Sequence, residues 1–137
     1  MSALPGASPA TLEIRAPISA GELIDKITIL QIKAERISEG SKLANVEREL
    51  AELNALRIHH RLDGLDVLTA DLRTVNETLW EVEDELRLLE VEQRFDDRFI
   101  ALARAVYQTN DRRAALKKEI NLLVGSAIVE EKSYAGT

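Results

Sequence analysis

Cysteine is absent from the 137-residue chain, which excludes disulfides and thiolate-held metals. Aromatic residues make up only 4% of it, so any core must be aliphatic. Proline and glycine are scarce, at three and six residues, and they gather near the N-terminus and at isolated breaks. That distribution favours long uninterrupted helices. No run approaches the roughly 18 continuous apolar residues of a membrane span. No basic segment followed by an apolar run opens the chain, so it does not read as a secretory signal. No long Lys/Arg run exists, and the formal charge is −6, which repels a phosphate backbone. These absences lead us to expect a cytoplasmic protein with neither membrane nor nucleic acid as a partner.

What is present is an ordinary apolar fraction of 45% and a somewhat high charged fraction of 31%. The length fits one domain that buries roughly two thirds of its unfolded surface. Residues 1–10 carry two prolines and no pattern, and are expected to be disordered. Residues 11–134 read as a single helical domain, and residues 126–137 as an extended tail. Leu12 and Ile14 alternate in the strand manner, so this segment and the tail can pair as a short two-stranded ribbon. The tail can equally lie along the bundle and cap the polar cluster of the two long helices, or fray.

The spacing predicts four helices, over about 20–38, 42–58, 66–94 and 97–124. Ser19 and Glu22 form a capping-box pattern before the first. Its apolar residues, Leu23, Ile24, Ile27, Ile29, Leu30, Ile32 and Ile37, cover more than one face, as in a helix packed on several sides. Gly40 is expected as a left-handed C-cap and Ser41 as the next N-cap. Asp63–Gly64 is a turn signal, Asp96 or Asp97 an N-cap, and Gly125 a stop.

The third helix carries the clearest pattern. Leu65, Leu68, Leu72, Val75, Leu79, Val82, Leu86 and Leu89 make a heptad seam of more than three repeats. The fourth repeats the rule from Phe99 to Leu123, with Thr109 and Arg113 at its middle positions. Each helix is roughly 42 Å long at about 1.5 Å per residue. A short connection forces them antiparallel. The expected fold is therefore all-α, two antiparallel hairpins, the second long and coiled-coil-like. The shorter hairpin cannot cover the longer one, so a homodimer is expected to bury the remainder.

Folding the two long helices about residue 95 brings a polar stripe together. Asn76, Trp80, Glu83, Arg87 and Glu90 lie on one helix, and Tyr107, Asn110, Arg113 and Lys117 on the other. One reading is a ligand pocket in which Arg113 and Lys117, with Arg87, hold an anion and Trp80 and Tyr107 supply flat walls. The other is a buried polar layer that sets register, in which Arg113 pairs with Glu83. The tail residues Glu130, Glu131, Lys132 and Tyr134 join the candidates as a cover. Glu77, Glu81, Asp84 and Glu85 have the i, i+3 and i+4 spacing of carboxylates that hold Mg²⁺, but lack the distant acidic partner such sites need. No catalytic residue, metal site or cofactor is assigned. His59 and His60 are adjacent loop residues, and no phosphate loop or nucleophile–base motif is found.

Gly21-Glu-Leu-Ile-Asp-Lys-Ile-Thr-Ile-Leu30, Val75-Asn76 with Leu79-Trp80 and Glu83-Asp84, Phe99 to Arg104, Asn110-Asp111, and Ile128-Val-Glu-Glu-Lys-Ser-Tyr134 resemble a bacterial family of small proteins known only as a domain of unknown function. The resemblance covers roughly residues 12–134. Similar sequences occur alone or joined to glycosyltransferase or tetratricopeptide-repeat segments, which implies work on bacterial surface polysaccharide. It carries no catalytic residues across. A weaker likeness, through Leu23-Ile-Asp25 and Glu35-Arg36, is to the all-helical chorismate mutases, whose first helix does not break as this one does at Glu39–Ser41. The leading expectation is a non-enzymatic helical accessory protein that binds a partner protein. The alternative is a module or enzyme for an anionic metabolite, such as a nucleotide sugar, at Trp80 and Arg113.

Overall fold

Ser19 starts the first helix as a short polar N-cap should. Its Oγ accepts the Glu22 N–H at 3.0 Å. The computed structural model describes residues 11–135, and four helices follow one another there: α1 (Ala20–Arg36), α2 (Gly40–His59), α3 (Asp66–Val91) and α4 (Asp97–Val124). The expected disorder of residues 1–10, and the last two residues of the tail, lie outside the described part.

Several boundaries differ from expectation by a few residues. Gly40 is not a left-handed cap but the first residue of α2, and the N-cap is Glu39 rather than Ser41. The Glu39 carboxylate reaches forward to the N–H groups of Ser41, at 3.0 Å, and Lys42, at 3.1 Å. A longer acid thus does what a serine was expected to do. The Asp63–Gly64 signal is real, with Gly64 at φ 76°. Asp96 caps α4 by accepting the Phe99 N–H, and Gly125 closes it in the left-handed region at φ 68°. α3 ends at Val91, three residues early, because Gln93 turns left-handed at φ 55°.

α1 is the central helix. It packs against α2 on one side and against both members of the α3–α4 hairpin on the other, whereas α2 packs on α1 alone. This is why α1 is apolar over so wide an arc. Ile24, Ile27 and Ile32 are fully enclosed, and the core continues through Leu65, Leu72, Leu116 and Ile120. Weak helix formers such as isoleucine are held there by packing rather than propensity.

α1 ends against α3, where the Arg36 guanidinium lies 5.7 Å from the Trp80 ring centroid and reaches Glu81 at 3.3 Å. The α3–α4 hairpin continues past this point. Its two helices stay zipped through buried Leu89 and Leu102, and Arg98 grips Glu85 with two hydrogen bonds. Leu88, Val91, Phe95 and Ile100 are exposed in that region. No strand occurs among the described residues, and Leu12 and Ile14, expected in a ribbon, are exposed.

Candidate functional site

Asp25 lies among the apolar residues of α1 and is wholly enclosed. A carboxylate taken out of water must be paired and hydrogen-bonded. Both its oxygens are engaged. Arg113 of α4 donates from Nε to Oδ1 at 2.9 Å and from Nη2 to Oδ2. Asn76 of α3 donates from Nδ2 to Oδ1 at 2.9 Å and to Thr28 Oγ1 at 2.9 Å. The Thr28 hydroxyl donates to the Asp25 backbone carbonyl at 2.8 Å. Three helices are thereby tied at one acid. The Asp25 hydrogen bond, outweighing burial, holds the Arg113 guanidinium above its ordinary pKa.

The expected Arg113–Glu83 pair does not form. Glu83 is exposed and adds only a longer-range attraction. The two-helix register left α1 out, and α1 supplies the nearer acid. A signal was present: Asp25 on the apolar arc of one helix and Arg113 on the apolar seam of another are two charges in positions that only a mutual pair makes tolerable.

One turn earlier, α1 and α4 come into close contact. A Cβ on Gly21 would lie 2.4 Å from the Lys117 carbonyl oxygen, so only glycine fits this crossing. The Gly21 N–H donates to Asn121 Oδ1 at 2.6 Å. Glu22 does not return to its own helix end as a capping box predicts. Its carboxylate takes Lys117 Nζ instead. Arg113 and Lys117 are thus each held by an acid from α1.

The tail begins as a strap over this crossing. Ser126 Oγ accepts the Ala20 N–H at 3.1 Å. Glu130 accepts from the Ser19 hydroxyl through one oxygen and from Asn121 Nδ2, at 3.3 Å, through the other. Glu131 takes Lys118 Nζ at 3.0 Å. Burial pushes the Glu130 carboxyl up, but Ser19, its own backbone N–H, the Lys117 charge and Asn121 together hold it below the usual glutamate range.

The predicted site residues therefore divide into three places. Asn76, Arg113 and Lys117 belong to the interior brace around α1. Trp80 sits apart from them, under Arg36. Tyr107 and Asn110 meet the tail residues Lys132 and Tyr134 around a cavity of about 570 Å³. Glu83 and Arg87 are on the exposed side of α3, in none of the three. Beside Arg113 a smaller pocket of about 210 Å³ is edged by Glu22, Lys26, Lys33 and Glu49. Three of the acids considered for magnesium are paired with arginines, Glu77 with Arg73, Glu81 with Arg36 and Glu85 with Arg98. Among the described residues no group of three or more acids or histidines is placed to hold a metal ion. Nor is any described helix long and apolar enough to cross a membrane.

No curated protein and no solved structure matches the chain at a significant level. Residues 14–137 match the profile of a family of unknown function, DUF6165, and the chain belongs to that family.

Proposed function

We propose that this DUF6165 member is a non-catalytic helical interaction module that assembles through the free end of its α3–α4 hairpin, with a second copy of the chain as the occupant. The observation that carries this is the exposure of Leu88, Val91, Phe95 and Ile100, at 63%, 81%, 52% and 53%, where the hairpin runs past α1. Apolar side chains left in water at a hairpin's free end favour burial against a partner. Two such hairpins laid side by side about a twofold axis make a four-helix bundle, the closed arrangement that self-complementary surfaces favour. The setting proposed for the module is the one its resemblance implies, bacterial surface-polysaccharide metabolism in the cytoplasm. An anionic metabolite held by Arg113 and Lys117 has less support, because both cations already hold carboxylates of α1.

Sedimentation equilibrium across a concentration series tests the reading. The chain is expected to dimerise, and the Leu88→Glu, Ile100→Glu double variant to be monomeric with unchanged helicity. A wild-type monomer at the highest concentration, or a dimer indifferent to both substitutions, sinks it.

A further inference from the structure

Past its anchors the tail changes from strap to wall. Val106, Tyr107, Asn110 and Asp111 of α4 face Lys132 and Tyr134 of the tail across the cavity of about 570 Å³. That volume is within the roughly 300–1,000 Å³ of small-molecule sites. Its lining sets Asn110, Asp111 and Lys132 among apolar side-chain surface. Two tyrosines supply flat apolar faces, which suit a flat ligand. The Asn110 carboxamide presents an acceptor and a donor pair in one plane, matching a ring edge that carries a donor beside an acceptor. Asp111 and Lys132 carry opposite charges, so the lining has no excess of either sign. The chain's net charge of −6 adds no attraction for an anion.

We infer that the cavity between α4 and the tail binds an uncharged heteroaromatic compound of the nucleoside class. Tyr107 and Tyr134 contact the ring, Asn110 reads its edge, and Glu130 holds the tail wall in place from outside the cavity.

Isothermal titration of the full chain tests this with adenosine and guanosine, and with AMP and trehalose as comparisons. Saturable binding of at least one nucleoside is expected, with AMP no tighter than adenosine and trehalose weaker by about tenfold or more. Tyr107→Leu and Asn110→Leu should each weaken the bound nucleoside by about tenfold. Tyr107 is more than half exposed, so its variant is expected to fold, and circular dichroism checks that it does. Glu130→Gln, which leaves the cavity lining intact, should also weaken binding. The inference is overturned if neither nucleoside binds at millimolar concentration, if trehalose or AMP binds more tightly, or if the folded variants bind like wild type.

Discussion

Asp25 and Arg113 meet across α1 and α4 as a two-bond pair in which the acid side chain has no exposure and the base is 28% exposed. Removing the base strands an enclosed carboxylate. Arg113→Ala is therefore expected to cost about 3–5 kcal/mol. Replacing both partners with apolar residues of similar volume, Asp25→Leu with Arg113→Met, removes the stranded charge and should recover much of that loss, although Asn76 then lacks one acceptor. Urea denaturation of the two variants measures the difference. If Arg113→Ala unfolds within a few tenths of a kcal/mol of wild type, the brace does not hold the helices as described.

Gly21 reverses the usual helix arithmetic. In an exposed helix, alanine in place of glycine is favourable by about 1 kcal/mol. Here the new methyl meets the Lys117 backbone oxygen, and backbone cannot swing aside as a side-chain tip can. Gly21→Ala should destabilise by about 1–3 kcal/mol through forced separation of α1 and α4. Thermal melts read the sign directly, and a raised melting temperature contradicts the close crossing.

How much of this was legible follows from how local each signal is. The Leu65–Leu89 seam, the Asp96 cap and the Gly125 stop are periodic or short-range features, and the helices form where they indicate. The arc of isoleucines on α1 foretold packing on several sides. Asp25 was lost inside that arc, because an apolar-pattern reading passes over a single acid. Its partners lie 51 and 88 residues away, on two different helices. The stripe on α3 looked continuous in sequence, yet Asn76 turns to α1, Trp80 meets Arg36 and Glu83 faces solvent. Asn76 and Trp80 both meet α1, at Asp25 and at its last residue Arg36, which a register drawn for α3 and α4 alone leaves out. The tail meets the bundle through Glu130 on Ser19 and Asn121, residues that no sequence pattern linked to it.

Trp80 is the chain's only tryptophan, so its fluorescence reports one place. The Arg36 guanidinium over its ring is partly exposed, and such contacts contribute about 0.5–1 kcal/mol. Arg36→Met should shift the emission maximum while changing stability by no more than about 1 kcal/mol. Arg113→Met should leave the folded-state emission almost unchanged, since Trp80 is not part of that network. A large spectral response to Arg113→Met would place the tryptophan back in the interior cluster.

Docking of the tail should depend on pH with a sign set by Glu130. Its carboxyl is held below the usual glutamate value, so the docked tail binds that proton less readily than the free tail does. The stabilisation is then fully present above the ordinary glutamate pKa of about 4.3, and is lost as pH falls through the lower docked value. Amide chemical shifts of residues 126–134, followed from neutral pH downward, should show a tail transition below the free-glutamate value. Glu35, Glu39, Glu85 and Asp96 are also held below their usual values, so general destabilisation overlaps this range. Glu130→Gln separates the two effects. It should loosen the tail already at neutral pH and abolish the tail-specific step, while leaving the acid response of the helices in place. A Glu130 that titrates above the free value would mean that burial outweighs its hydrogen bonds, and the strap would then tighten rather than release as acid is added.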